Sequence, residues 1–286
     1  MTGADEPIAC SVILPALRDS PGLQATLRAL SSQASDRPYE VIVVSPELVD
    51  LSACPSARLV RDEGRGPAAA LNAGIAAARG EVLAFTDADC VPDAGWLAAG
   101  TACMSGVDLV AGRIVQTPGD SSASTTVEEF EVRWSLRQHV DVRQGLASAS
   151  NFFVHRDVFE RIGTFREEMR TKSDWDLCER ARDAGCTLAY CDAAVVRHRV
   201  IATWGGLWQS KLRLAGGMAR LHRARGRGKS AARRDALRQL RPPLRSLMQV
   251  VRAEAPRGRK LALVGTLVVS RVAYLVGWVQ SEVRDR

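Results

Sequence analysis

The chain holds 286 residues, 46% hydrophobic and 25% charged, the make-up of a globular protein long enough for one large α/β domain and an appendage. The opening Met1-Thr2-Gly3-Ala4-Asp5-Glu6-Pro7 is acidic and has no apolar core, so no signal peptide is expected there. The net charge of +7 is unevenly spread: residues 1–210 carry 20 Lys/Arg against 28 Asp/Glu, whereas residues 211–260 carry 16 Lys/Arg against only Asp235 and Glu254. A basic block that dense fits an anionic membrane surface, nucleic acid or a solvated helical face, and the lack of an aromatic–basic platform for bases argues against nucleic acid. The seven cysteines (10, 54, 90, 103, 178, 186 and 191) include no Cys-x-x-Cys pair, so they read as small core residues in a reducing, cytoplasmic environment.

Taken in order, strands and helices alternate. Cys10 to Leu14 is a β-rich apolar run closed by Pro15, and Leu23 to Gln33 has Leu23, Leu27 and Leu30 at helical spacing. Val41 to Val44 is a second buried strand ending at Ser45-Pro46, and Ala57 to Val60 is a third. Pro67 to Ala78 reads as a helix opened by proline and closed by Gly80. This β-α-β-α-β order, completed by Val82 to Phe85, predicts an α/β fold with a doubly wound, mostly parallel sheet.

At Thr86 the fourth run turns polar, and Asp87 and Asp89 follow one residue apart. Side chains two apart on an extended chain share a side, and ligands of open α/β sheets bind outside the carboxyl ends of the strands. Hard divalent cations take oxygen ligands and keep substrate phosphates in their shell. The pair therefore reads as a metal and phosphate site, with a solvated turn as the plain alternative.

Beyond it, Asp93 to Cys103 is expected to be a helix with Trp96 near the site, Asp108 to Val115 a strand, and Val127 to Val140 a helix after the polar loop 121–126. Phe152 to Val154 is a strand, Arg156 to Arg161 a short helix, and Ser173 N-caps a helix to Asp183. Thr187 to Cys191 and Ala194 to Val196 are two short strands leading to Arg197-His198-Arg199.

Together these pieces carry a resemblance. Ser11-Val12-Ile13-Leu14-Pro15, Tyr39 to Val44, Gly66-Pro67-Ala68-Ala69-Ala70-Leu71-Asn72-Ala73-Gly74, Asp87-Ala88-Asp89, Ser150-Asn151-Phe152, Phe159 to Phe165, Asp174-Trp175-Asp176-Leu177-Cys178-Glu179-Arg180 and Val195-Val196-Arg197-His198 stand in the order of a family 2 glycosyltransferase with the GT-A fold. The likeness covers roughly the first 200 residues.

The resemblance implies a metal-dependent, inverting transfer of sugar from a nucleoside-diphosphate-sugar to a hydroxyl acceptor, a membrane lipid, cell-wall or polysaccharide intermediate. Asp89 is the implied ligand for Mg2+ or Mn2+, Asp87 a contact to ribose or to a metal-bound water, and His198 a further metal or diphosphate contact. Donor contacts fall on Pro15, Asn72 and Asp87, with Glu47 or Asp62 replacing the acids that usually end the second strand. Asp174 matches the base, although Ser173 stands where the family commonly has Glu. Asp176 is expected to be an ordinary first-turn acid. Trp175 and the stretch Trp208, Gln209 and Arg213 match the acceptor and diphosphate region. A sugar nucleotidyltransferase and a non-catalytic membrane adaptor remain the competing readings.

Residues 1–200 are thus expected to form the catalytic domain and 201–286 a basic helical appendage. Leu261 to Val279 is a mainly apolar run of 19 residues with Arg271 at its middle. A charge at mid-bilayer costs about 2.5–3.5 kcal/mol on insertion scales. The segment is therefore read as a helix lying on the inner face of the cell membrane beside the basic patch, with a buried helix of a soluble domain as the alternative.

Overall fold

In the computed structural model, which describes residues 7–119, 124–238 and 243–284, the apolar runs become the centre of one sheet. The acidic start, the loop 120–123 and the pair Arg241-Pro242 lie outside the described residues, as do the side chains of Lys229 and Asp235. The strands are β1 (Cys10–Pro15), β2 (Tyr39–Ser45), β3 (Arg58–Arg61), β4 (Val82–Thr86), β5 (Cys90–Pro92), β6 (Leu109–Thr117), β7 (Asn151–His155) and β8 (Leu188–Arg199). They lie in the order β3-β2-β1-β4-β7-β6-β8-β5. From β3 to β4 the pairs are parallel; β4–β7, β7–β6 and β8–β5 are antiparallel, so the sheet is mixed.

Both faces of the central strands are covered, as their unbroken apolar sequences require. Ile13, Ile42, Val44, Leu83 and Phe85 point into one core layer, and Val12, Leu14, Val41, Val43 and Ala84 into the other. In the first layer Phe85 meets Phe159 and Phe165 edge-on, centroids 6.0 and 5.5 Å away. Such pairs contribute about 0.5–1.5 kcal/mol each beyond the area they bury.

The helices start where local chemistry permits. In α1 (Pro21–Ser31) the Ser20 hydroxyl accepts the Leu23 N–H at 3.1 Å, and Leu23, Leu27 and Leu30 are fully buried. α2 (Pro67–Ala77) follows Gly66, whose φ of 127° only glycine adopts readily. It ends before Gly80, which is not its stop: a Cβ on Gly80 would sit 2.6 Å from the Ser11 nitrogen, so the glycine is required where the chain crosses β1. α3 (Trp96–Cys103) begins three residues later than expected, because the Asp93 N–H still donates to the Val195 carbonyl of β8 and the chain turns there before Trp96.

The expected helix 127–140 is two. α4 (Thr126–Trp134) is closed at its start by reciprocal hydrogen bonds between Thr125 and Glu128 and stops at Ser135; Leu136, at φ 40°, turns the chain before α5 (Gln138–Asp141). After α6 (Arg156–Ile162), α7 (Ser173–Asp183) starts differently from expectation: Lys172, in the left-handed region at φ 68°, holds the cap position and Ser173 is the first helical residue. The two short strands after α7 are one, β8. The cysteines are not all unpaired either: Cys103, at the end of α3, forms a disulfide with Cys191 in β8, 88 residues on.

The chain divides into two units. The first comprises residues 1–115 and 136–198 and the second residues 116–135 and 199–286. The second is built from α4, α8 (Trp204–Ala224), α9 (Gly228–Arg238), α10 (Leu244–Arg252) and α11 (Arg257–Arg284). Val127, Phe130, Leu207, Val250, Leu263 and Leu267 form its core, and Glu131–Lys211 and Glu129–Arg259 pair at 3.0 and 2.8 Å.

Candidate active site

The sheet brings three of the named residues to one edge, and α7 carries the fourth. Asp87 follows β4 directly. Asp89 and His198 meet because Cys90 and His198 are register partners in the β5–β8 pair, which leaves His198 Nε2 3.8 Å from Asp89 Oδ2. That separation is too long for a hydrogen bond. The ligand atoms of Asp89, Cys90 and His198 all lie within 4.8 Å of one another, the only such grouping among the described residues. Cys90 is fully buried in the second core layer, and burial raises its thiol well above the ordinary value, with Asp87 and Asp89 pushing the same way. Carboxylate and imidazole donors converging without bonding each other, with the Asp89 side chain 59% exposed, are a donor set a divalent cation fits.

Asp87 is half-buried and accepts a hydrogen bond from the Ser150 hydroxyl. Burial raises its pKa; the Ser150 bond opposes this, Asp89 and Asp174 add to it, and His198 also opposes it. Asp87 therefore feels all three of the other charged candidates. Asp174, on the first turn of α7, accepts the Trp175 N–H at 2.9 Å on one oxygen and the Ala149 N–H at 3.2 Å on the other. Trp175 is half-buried, with the Lys172 ammonium 3.2 Å from its ring centroid, a cation–π contact.

Asp176 is not an ordinary first-turn acid. It is fully buried, 2.8 Å from Arg180 Nε and 3.5 Å from Arg166. Arg180 in turn donates to the carbonyls of Ile162, Gly163 and Thr164, locking the loop ahead of α7.

On the donor side, Pro15 ends β1 and Glu47 is exposed past β2. Asp62, just past β3, has an oxygen buried without a hydrogen-bond partner. Asn72 on α2 is engaged differently: its amide donates to the Phe165 carbonyl at 2.8 Å and accepts the Phe165 N–H at 3.0 Å, so it holds the 165–167 loop. Trp208, Gln209 and Arg213 lie on α8 in the second unit, Trp208 half-buried and the other two exposed.

Sequence reasoning gave no role to Gln138, Asp141 or Lys172. Asp141 has its carboxyl raised by burial, with Lys172 opposing and Asp174 reinforcing. Gln138 was hidden inside a run read as one continuous helix, and Asp141 stands just past its end.

The model of the family described as glycosyl transferase family 2 matches residues 11–163. Glycosyltransferase AglE of Haloferax volcanii is 32% identical over 202 residues, the match covering 66% of each chain. The pre-mycofactocin glycosyltransferase of Mycobacterium tuberculosis is 31% identical over 209 residues, covering 66% of this chain and 42% of that protein. The chain thus spans less than two thirds of the length of these relatives. Among solved structures, the mannosyltransferase PcManGT from Pyrobaculum calidifontis, in complex with GDP-Man and Mn2+, superposes with a TM-score of 0.64 at 20% identity, covering 98% of this chain and 90% of that one. GalNAc-T7 with UDP, GalNAc and Mn2+ gives 0.56 at 14% identity, covering 77% and 48%. These neighbours share the GT-A fold, and with the family match over β1 to β7 and the Asp87–Asp89 turn, the chain belongs to glycosyl transferase family 2.

Proposed function

We propose that the protein is a metal-dependent, inverting glycosyltransferase that moves a sugar from a nucleoside-diphosphate-sugar to a hydroxyl acceptor, with residues 1–200 as the catalytic domain. The observation that carries this reading is the convergence of Asp87, Asp89, His198 and Asp174 at the carboxyl edge of the sheet. Asp89 and His198 would hold Mg2+ or Mn2+, which supplies charge neutralisation for the leaving diphosphate. PcManGT and GalNAc-T7 were solved with Mn2+, which supports a divalent cation here.

Each residue then has a task set by its surroundings. Asp62 offers its unpartnered oxygen to the nucleobase or ribose, with Pro15 and Glu47 at the ends of the neighbouring strands. Asn72 acts on the donor side by fixing the loop at Phe165. Asp174 accepts the acceptor hydroxyl's proton; its two backbone hydrogen bonds orient the carboxylate on the first turn of α7. Trp175 gives a half-buried aromatic wall beside the base. Attack by the acceptor oxygen opposite the departing diphosphate inverts the anomeric centre.

The acceptor we assign is a lipid-linked or cell-envelope intermediate met at the cytoplasmic membrane face. Arg257–Val283 is long and apolar enough to cross a bilayer. Its exposed Leu261, Val268, Val272, Val279 and Val283 recur at seven- and four-residue steps, one side of the helix. α10 adds exposed Leu244, Met248 and Val251, with Arg245 and Arg252 alongside. An apolar stripe flanked by arginine suits a helix lying in an anionic interface.

The test is a screen of nucleotide-sugars for Mn2+-dependent thermal stabilisation. A donor that raises the unfolding midpoint only with metal, and loses that effect in Asp89→Asn, supports the reading; stabilisation that ignores metal in both proteins contradicts it.

A further inference from the structure

We propose that the segment Ser148–Asn151 is a positioning bridge for the active-site acids, with Ser150 setting the carboxylate of Asp87 and Gln138 holding the bridge in place. The inference rests on the assignment of Asp87 to the metal–nucleotide site.

The bridge follows from register. In the antiparallel pair of β4 and β7, Thr86 stands opposite Asn151, so one step beyond the ladder Asp87 stands opposite Ser150. The Ser150 hydroxyl donates to Asp87 Oδ2. That hydroxyl has one proton, so in the 3.1 Å contact between the Ser148 and Ser150 oxygens the donor must be Ser148. The chain Ser148 to Ser150 to Asp87 thus runs in one direction and ends on the acid, and both serines are buried. The next residue in the same segment, Ala149, gives its N–H to Asp174 at 3.2 Å, so four residues touch both the metal-side acid and the base.

A loop that short, at the end of a strand, needs fixing from outside, and Gln138 does this. Its side chain is 2% exposed and every one of its bonds goes to this segment: it accepts the Ser148 N–H at 2.8 Å and donates to the carbonyls of Ser148 and Asn151 at 3.2 and 2.9 Å. The far end is pinned by the Asn151 side chain, which accepts from Trp96 Nε1 at 2.8 Å and donates to the carbonyls of Arg113 and Ala194, both at 2.9 Å. A bond from Ser150 to a metal-site carboxylate fixed in this way restricts where that carboxylate can point, which is how outer-shell groups tune metal sites.

The experiment titrates the full-length protein with GDP and with UDP, with and without Mn2+, by calorimetry, and follows thermal unfolding of the same samples. Ser150→Ala should weaken the Mn2+-dependent binding about tenfold or more, the usual effect of losing an outer-shell partner, with the unfolding midpoint kept. Ser150→Thr, which keeps the hydroxyl, should restore most of that affinity, and Ser148→Ala should cost less than Ser150→Ala. Wild-type metal-dependent affinity in Ser150→Ala, or a Thr variant as weak as the Ala variant, would overturn the bridge. Asp89→Asn separates the two levels. If it too binds with wild-type metal dependence, the metal-site reading falls and the bridge falls with it; if it loses binding while Ser150→Ala does not, only the bridge falls.

Discussion

His198 Nε2 faces Asp89 Oδ2 across 3.8 Å because β5 and β8 pair Cys90 with His198. Three residues of β5 are enough to bring an imidazole from the end of β8 to the Asp-x-Asp turn. Carboxylate, carbonyl and water donors suit Mg2+ and Mn2+ alike, and the imidazole stands beside them as a further ligand. His198→Ala should lower Mn2+-dependent nucleotide affinity by about an order of magnitude. Calorimetric titration checks this; undiminished Mn2+-dependent affinity would remove His198 from the ligand set.

The two acids of the first turn of α7 should behave differently, and for reasons other than those the sequence suggests. Asp174→Asn should leave the unfolding midpoint near wild type and lower turnover by about two to four orders of magnitude, the range for a lost general base. Asp176→Asn should act on stability, because it strips the charge partner from Arg180 in a buried pair. Breaking such a pair from one side costs about 3–5 kcal/mol. Thermal denaturation and steady-state rates measured on both variants separate the two; a stable Asp176→Asn would contradict the buried-pair account.

A third prediction concerns acid stability. Glu40 is 6% exposed at the amino end of β2. Burial alone would raise its pKa, but bonds from the Ser11 hydroxyl, the Arg79 N–H and the Arg58 and Arg79 guanidinium groups together hold it below the ordinary value. A carboxylate depressed by folding contributes stability in full above the unfolded value of about 4.3 and loses it as pH falls through the lower folded-state value. Glu40→Gln should thus destabilise the protein by about 1–3 kcal/mol at pH 7, and the difference from wild type should shrink below pH 4.3. Chemical denaturation at pH 7 and at low pH measures it.

The membrane proposal is tested on the exposed stripe of α11. Residues 258–286 cannot simply be deleted, since Leu263 and Leu267 belong to the core of the second unit. Val268 and Val272 are 54% and 44% exposed, so changing both to Asp should spare the fold. Flotation with anionic vesicles should then show the wild type bound and the double variant released. Equal behaviour of the two would mean that the stripe does not meet lipid.

How much of this could be read in advance depended on how local its cause was. β1, β2 and β4 announce themselves as unbroken apolar runs because both faces are covered, and Asp87-Ala88-Asp89 is legible because its spacing is local. β5 was not, having three residues and a proline. The break at Ser135 was hidden because Phe130 and Trp134 keep helical spacing up to it and the stop lies in the backbone turn at Leu136. Asp176 looked like its neighbours until Arg166 and Arg180 were seen to enclose it. Ser150 stood in a recognisable piece without a role, since only the register of β4 with β7 puts it against Asp87. The Cys103–Cys191 bond, across 88 residues, has no local signal at all.

The central claim is that Asp89 anchors a divalent cation on which nucleotide-sugar binding depends. Calorimetric titration of wild type and Asp89→Asn with a stabilising nucleotide-sugar, with Mn2+ and with chelator, tests it most directly. The account predicts metal-dependent binding in the wild type and no metal-dependent component in the variant, whose unfolding midpoint without ligand stays near wild type because the Asp89 side chain is 59% exposed. Undiminished Mn2+-dependent binding in Asp89→Asn would contradict it.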